Sequence, residues 1–141
     1  MGPLDLSDLP DHALLLLDSA PIIYWFDGHP ALSRKFEPLF GAHNEGRVRF
    51  AVTSVTVAEV LTGPLKAGDE ASARRYRTVL ESWDVIALDV DIAESAARLR
   101  ASLGFKLPDA VQAASALAIG ADALVTHDRD FSRLRAVRVI A

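Results

Sequence analysis

The chain has 141 residues, half of them hydrophobic and 24% charged, which is enough to build one hydrophobic core. It contains no cysteine, which excludes disulfides and cysteine-ligated zinc. No apolar run approaches the roughly 18 residues that a membrane span needs. The formal net charge of −4 argues against a generally basic nucleic-acid-binding surface. We therefore expect one cytoplasmic domain with no membrane segment.

The predicted strands are short and rich in apolar or β-branched residues. Residues 1–12 are polar and contain two prolines and three aspartates, so we expect a flexible tail ahead of a domain over residues 13–141. The run Ala13–Leu17 is continuously apolar, which is typical of a strand buried on both faces. Further strands are predicted at residues 47–53, 85–88, 123–126 and 137–140.

Amphipathic segments with helical spacing lie between these strands. The predicted helices cover residues 19–26, 30–43, 56–65, 70–83, 91–103 and 108–119. Gly104 ends one of them, and Pro108 starts the next. The alternation of strands and helices predicts an α/β domain with a mostly parallel sheet covered on both faces.

Acidic residues follow three of these predicted strands. Asp18 follows the first strand, and Glu59 comes about one helical turn beyond the second. Asp128 and Asp130 follow the fourth strand. Asp109 lies in the first turn of a crossover helix, whose N-terminus is at the same edge because such helices run antiparallel to the strands. Ligands of α/β domains bind at the carboxyl ends of the strands, so we expect these acids to meet in one pocket.

Each acid also has a purely structural interpretation. Asp18 could cap the helix that follows it, and Glu59 ends a Thr-x-x-Glu capping box. Asp109 would be favoured by the helix dipole, while Asp128 and Asp130 could form an Asx turn or cap a short helix. Separate helix caps would be expected at scattered places on the molecule, whereas the ligands of one ion must lie at the same edge of the sheet.

Clustered carboxylates repel one another, and a hard divalent cation with oxygen ligands relieves that repulsion. Mg²⁺ or Mn²⁺ suits such a donor set better than zinc does. The bound ion would polarise a phosphate and lower the pKa of a water for attack at phosphorus. The residues alone therefore predict metal-dependent phosphodiester chemistry.

Four segments carry a resemblance to a known family: LLLLDSAPIIYWF, TSVTVAEVLTGP, KLPDAVQAASAL and ADALVTHDRDFSRL. In order and spacing they resemble PIN-domain proteins, specifically the VapC-type toxins of bacterial toxin–antitoxin pairs. The resemblance implies a single PIN-like domain with a central five-stranded parallel sheet flanked by helices. It also implies a Mg²⁺- or Mn²⁺-dependent endoribonuclease that cuts RNA, forms a homodimer and is inhibited by an antitoxin whose tail crosses the active-site groove.

The resemblance also implies roles for individual residues. The catalytic positions fall on four acids: Asp18, Glu59, Asp109 and Asp128. The implied metal ligands are Asp18, Asp109, Asp128 and Asp130. Thr126 matches a small hydroxyl position near the site, where we expect it to contact substrate. Independently of the resemblance, Arg129 and Arg133 follow the acids in the chain, so we expect them to bind RNA phosphates or, equally, acidic residues of an antitoxin. The sequence departs from the family pattern in the long segment before the first acid and in His127, which stands where Asn is common and to which we assign no role.

Two other clusters have competing interpretations. The basic residues 74–77 (RRYR) could grip a phosphate backbone, but Tyr76 falls on the apolar face, which favours a solvated helix face. The apolar stretch 22–26 (IIYWF) is either core or a surface for a second copy or an antitoxin.

Two alternative functions remain open at this point. A receiver-like phosphoacceptor domain would need adjacent acids after its first strand and a lysine after its last, but Ser19 follows Asp18 and no lysine lies beyond Lys106. A non-catalytic binding module that keeps only the fold would not need all four acids.

Overall fold

Five parallel strands form one sheet in the computed structural model, which describes residues 3–141. The strands are β1 (Ala13–Leu17), β2 (Val48–Thr53), β3 (Asp84–Ile86), β4 (Ala123–Val125) and β5 (Val139–Ile140). Their order is β3-β2-β1-β4-β5, and every pairing is parallel. The predicted α/β class and the five-stranded sheet are confirmed, and the sheet is entirely parallel.

Helices connect the strands and cover both faces of the sheet. They are α1 (Ser19–Phe26), α2 (Leu32–Asn44), α3 (Ser54–Lys66), α4 (Glu70–Glu81), α5 (Val90–Leu103) and α6 (Leu107–Ala118), with a 3₁₀ helix over Arg129–Arg133. Each predicted helix is present with ends shifted by at most a few residues. Within residues 3–141, none of these helices is both long and apolar enough to cross a membrane.

The central strand β1 is apolar at every position because helices cover both faces of the sheet around it. Leu15 and Leu17 pack into a cluster with α1–α4, whereas Leu16 packs into a second cluster with α5, α6 and the 3₁₀ helix. Successive side chains of a strand point to opposite faces, so a strand between two helical layers is apolar throughout.

The strand order also removes one of the alternative functions. Receiver domains have the doubly wound order 2-1-3-4-5, with the first strand one place from the edge. Here β1 is the central strand, between β2 and β4. The receiver-like alternative is therefore excluded by topology.

One predicted cap is wrong. The structure begins α3 at Ser54, and the hydroxyl of Thr53 accepts the hydrogen bond from the backbone N of Thr56, at 3.0 Å. Thr56 is therefore inside the helix, and Glu59 is not the second member of a capping box. The earlier start arises because β2 runs directly into α3, with Thr53 as the last strand residue and the helix cap.

The segment before β1 has no helix or strand, but it packs against the domain. Leu4 is buried in the first cluster, and its backbone N donates to the carbonyl of Lys35 at 3.1 Å. Asp8 pairs with Arg138 at 2.9 Å. Residues 3–12 of the expected flexible tail are attached to the domain through their leucines. Met1 and Gly2, the other residues of that tail, lie outside the described residues.

The apolar stretch of α1 is mainly core. Ile22 is fully buried, Phe26 packs on Tyr76 and Trp25 stacks on Phe40 with ring centroids 4.6 Å apart. Only Trp25 among these α1 residues keeps a large exposed fraction, 36%. Few apolar groups of α1 are therefore left over for a partner.

The basic residues of α4 lie on a solvated helix face, as favoured from the sequence. Arg77 pairs with Glu81 at 2.8 Å, one turn along the same helix. The hydroxyl of Tyr76 donates to the carboxylate of Asp27 at 3.0 Å. The tyrosine thus ties α4 to the end of α1.

Replacing Leu16 by alanine should test the two-layer core. Leu16 is 0% exposed, so truncation leaves a cavity beneath α5 and α6, and we expect a loss of about 2–5 kcal/mol in the free energy of unfolding. Urea denaturation measures this change in the free energy of unfolding. The control Leu88→Ala removes a side chain that is 45% exposed and should change stability by about 0.5 kcal/mol or less. Equal losses in the two variants would contradict the assigned packing.

Candidate active site

Asp18 follows β1 at the carboxyl edge of the sheet and is only 8% exposed. Its Oδ1 accepts hydrogen bonds from the backbone N of Ser19 at 2.9 Å and from Nε2 of Gln112 at 3.0 Å. Its Oδ2 accepts one from the hydroxyl of Thr126 at 2.8 Å. A carboxylate offers about four lone-pair positions, so one on Oδ2 is left for a ligand. The residue therefore caps α1 and keeps an acceptor for the cleft.

Gln112 organises the buried side of the site and is fully buried itself. Its Nε2 donates to Asp18 and to the hydroxyl of Thr56, while its Oε1 accepts from the hydroxyl of Thr53 at 2.8 Å. Both amide protons and the amide oxygen thus have partners, as a buried amide requires. The network links α6 to β1, β2 and α3.

Three carboxylates approach one another at the N-termini of α6 and the 3₁₀ helix: Asp109, Asp128 and Asp130. One oxygen from each lies within 4.8 Å of the others. Asp128 also accepts a hydrogen bond from the backbone N of Asp130 at 2.8 Å, which caps the 3₁₀ helix. Burial, followed by the charges of the neighbouring carboxylates, raises the pKa of Asp109 to about 6.

Glu59 faces the same cleft from α3. Loss of solvent around its carboxyl group raises its pKa, and the charge of Asp18 adds to this effect. The cleft has a volume of about 540 Å³ and is lined by all four predicted catalytic acids: Asp18, Glu59, Asp109 and Asp128. Residues widely separated in the sequence therefore converge on one opening. Asp130 stands at its exposed rim.

The donor set suits a hard divalent cation. The three closest groups offer only carboxylate oxygens, and their mutual repulsion is what raises the proton affinity of Asp109 beyond the effect of burial. A divalent ion with oxygen ligands would replace that proton. Asp18 is not one of the three, but its charge reaches Asp109 and its Oδ2 keeps one free position.

The three residues expected to contact substrate differ in exposure. Thr126 is fully buried, and its hydroxyl donates to Asp18 and accepts from the backbone N of Asp128 at 2.9 Å, so it connects two acids instead of facing the cleft. The guanidinium of Arg133 donates to the carbonyl of Leu103. Arg129 lines the cleft and, among residues 3–141, forms no ion pair.

His127 packs beside the cleft among aromatic rings. Its ring lies edge-on to Tyr24 and Phe36, with centroids 5.7 and 6.0 Å away. Burial lowers its pKa, and the charges of Lys35 and Arg129 lower it further. The neutral imidazole therefore adds no positive charge next to the acids.

The fold and the cleft define an α/β domain with a carboxylate cluster at the carboxyl ends of parallel strands. Residues 15–137 match the family model described as the PIN domain. That match covers most of the chain, and the chain belongs to the PIN-domain family. No curated protein matches it in sequence.

Several solved structures with the same fold are toxins or toxin–antitoxin complexes. A toxin–antitoxin complex from Klebsiella pneumoniae is 28% identical, with 87% of this chain and 94% of that chain covered and a TM-score of 0.70. VapBC2 from Rickettsia felis, bound to a DNA fragment from its promoter, is 20% identical over 89% and 96% of the two chains, with a TM-score of 0.72. VapC20 from Mycobacterium tuberculosis, a toxin that cleaves the sarcin–ricin loop, is 16% identical over 88% and 98%, with a TM-score of 0.71.

Sequence reasoning missed the residues that hold the site together. Gln112 is the one long polar side chain in the segment AVQAASALA, three positions after Asp109 and therefore on the same helix face. That spacing could have indicated a buried partner for an acid. Thr53 gave no signal apart from its position at the end of a strand.

The metal-free protein should lose stability as pH rises through the pKa of Asp109. The folded-state pKa of about 6 lies above the ordinary value of 3.8, so between these values the folded state binds more protons than the unfolded state. This contribution is present below about pH 4 and is lost above about pH 6. In EDTA, we expect Asp109→Asn to melt above the parent at about pH 7.5, with the difference shrinking by about pH 4.5. Differential scanning calorimetry measures this, and a difference independent of pH would contradict the assignment.

Proposed function

We propose that this chain is a metal-dependent endoribonuclease that hydrolyses RNA phosphodiester bonds and acts as the toxin of a toxin–antitoxin pair. The observation that carries the proposal is the convergence of Asp18, Glu59, Asp109 and Asp128 on one cleft. Structural caps account for the local position of some of these acids, but not for their meeting. A shared cation accounts for both.

The related proteins support the same class of activity. VapC20 is a toxin that cleaves the sarcin–ricin loop, and the Klebsiella pneumoniae protein is part of a toxin–antitoxin complex. At 28% identity the second is the closer of these two in sequence, and it covers nearly the whole domain. The chain has an acidic cleft of the kind that such chemistry needs.

The acids would hold Mg²⁺ or Mn²⁺ through Asp109, Asp128 and Asp130, with Asp18 contributing from the buried side. When bound, the ion supplies a water of lowered pKa and neutralises charge on the scissile phosphate. Asp18 is fixed by three hydrogen bonds, so it presents its remaining Oδ2 position without reorganising. Such fixed polar groups are what electrostatic catalysis requires.

Glu59 is the carboxylate that we propose as the general base. Its raised pKa moves the carboxylate toward the range in which a group can accept a proton and release it near neutral pH. It lines the same cleft as Asp109 and Asp128 but is not one of the three carboxylates that lie closest together. We assign it the role of accepting a proton from the attacking water.

Arg129 is the basic residue best placed to bind an RNA phosphate. It lines the cleft, is exposed and forms no ion pair within residues 3–141. The site thus offers positive charge at the opening and negative charge inside, where the cation would lie. An overall net charge of −4 is compatible with RNA binding under this arrangement.

The proposed partners are a cognate antitoxin and a second copy of the chain. Toxin–antitoxin complexes among the related structures support the first, and exposed apolar side chains such as Val85, Leu88 and Val90 are available to pack against either. Since the substrate and the antitoxin would both be met in the cytoplasm, we propose that location.

RNA cleavage by Asp18→Asn should fall at least about 100-fold, because stabilisation by a metal site amounts to several kcal/mol. The substitution keeps the shape of the side chain and removes its charge. The measurement is cleavage-site mapping on total RNA, with and without EDTA.

Asp91→Asn is the matched control, because Asp91 is an exposed acid in the first turn of α5, outside the cleft. It should cleave at the parent rate. Parent activity in Asp18→Asn would contradict the catalytic assignment. Absence of cleavage by the parent protein in Mn²⁺ would favour the remaining alternative, a non-catalytic binding module.

Mn²⁺ should raise the melting temperature of the parent protein and have little effect on Asp109→Asn. The ion binds the folded cluster and not the dispersed carboxylates of the unfolded chain, so its binding stabilises the fold by mass action. Thermal melts at several Mn²⁺ concentrations measure the shift. Equal shifts in both proteins would place the metal elsewhere.

A further inference from the structure

Arg133 is held against the protein by two donor groups and one face of its guanidinium. Its Nη1 donates to the carbonyl of Leu103, the last residue of α5, and its Nε lies 3.4 Å from the carbonyl of Asp130. Its guanidinium also stacks over the ring of Phe105, 4.8 Å from the centroid. One side chain therefore uses two donor groups and its planar face on protein partners.

These contacts join the two chain segments that carry the closest carboxylates. The loop of residues 104–106 leads directly into α6 and hence to Asp109. The 3₁₀ helix that ends at Arg133 contains Asp130 and is capped by Asp128. Arg133 spans the gap between these segments on the outside of the domain.

Apolar packing beneath Arg133 reinforces the same connection. Phe105 and Phe131 are both buried in the cluster under α5 and α6, with ring centroids 5.9 Å apart. Arg100 adds a further contact from α5 to the carbonyl of Phe105, at 3.4 Å. The loop is thus fixed against the 3₁₀ helix on its polar and its apolar sides.

The acids at the inner ends of these segments repel one another. In the absence of a cation, that repulsion would drive the segments apart and enlarge the spacing of the ligand oxygens. A cation such as Mg²⁺ tolerates little deviation from its preferred ligand geometry. Contacts that hold the spacing therefore raise metal affinity without touching the ion.

We propose that Arg133 is a positioning residue that sets the spacing of Asp109 against Asp128 and Asp130 by joining the end of α5 to the 3₁₀ helix. This inference rests on the proposed metal-dependent function. The contacts that carry it are made by the Nε and Nη1 groups and by one face of the guanidinium.

The direction in which cation affinity changes when Arg133 is replaced distinguishes a positioning role from a simple effect of its charge. Removing a positive charge near a cation site should by itself strengthen cation binding. Removing a positioning contact should weaken it. Arg135 offers the matched control, since it is an exposed arginine two positions away for which the structure gives no hydrogen bond or ion pair within residues 3–141.

The experiment is isothermal titration of Mn²⁺ into the full chain for the parent, Arg133→Gln, Arg133→Lys and Arg135→Gln. We expect the dissociation constant of Arg133→Gln to rise about tenfold, as is typical for loss of a residue that orients metal ligands. Arg135→Gln should bind as the parent does or more tightly. Arg133→Lys keeps the charge and one donor but loses the planar stack, so it should lie between the parent and Arg133→Gln.

Each other outcome overturns the inference. Unchanged or tighter Mn²⁺ binding by Arg133→Gln, with weaker RNA binding, would make Arg133 a substrate contact. If Arg133→Gln does not fold, Arg133→Lys decides the matter, and parent-like Mn²⁺ affinity in that variant would exclude positioning. If the parent binds no Mn²⁺, the proposed function itself fails. If Asp109→Asn abolishes Mn²⁺ binding but Arg133→Gln leaves it unchanged, only the inference about Arg133 fails.

Discussion

Repulsion among carboxylates at the end of the sheet is the constraint on which the rest of this structure depends. Four acids meet in one cleft, and within residues 3–141 none of them forms an ion pair with a cationic side chain. The fold tolerates this because each acid is attached to a rigid element: Asp18 to the end of β1, Asp109 to the first turn of α6, Asp128 to the start of the 3₁₀ helix, and Glu59 to the body of α3. A proton on Asp109 or a divalent cation would relieve the same repulsion, so the two compete for one position.

The buried polar residues behind the cleft hold the acids in place against their mutual repulsion. Gln112 donates to Asp18 from inside the domain, and Thr126 connects Asp18 to the backbone of Asp128. No buried side-chain nitrogen or oxygen in residues 3–141 is left without a hydrogen-bond partner. A fully satisfied network of this kind is rigid, so the acids keep their positions when solvent or ligand in the cleft changes.

The sequence was sufficient for the architecture and for the acids, but not for their surroundings. The run before Asp18 and the helical spacing between strands depend on local periodicity, which is visible in one dimension. The role of Thr53 as a helix cap depends on where β2 stops, and strand ends are poorly determined by composition. Thr126 was expected to contact substrate because it matches a hydroxyl position of the family, and Arg133 because it follows the acids in the chain. Their side chains are oriented by hydrogen bonds to residues distant in sequence, Asp18 for Thr126 and Leu103 for Arg133.

The outer strands of the sheet limit how another polypeptide can associate with it. β3 has three residues and β5 has two, so either edge exposes only a few unpaired backbone groups. A peptide segment that extended the sheet would gain few main-chain hydrogen bonds at these positions. An inhibitory chain reaching the cleft would therefore be recognised mainly through side chains and helix surfaces, and its specificity could change with a handful of substitutions while the sheet stayed the same.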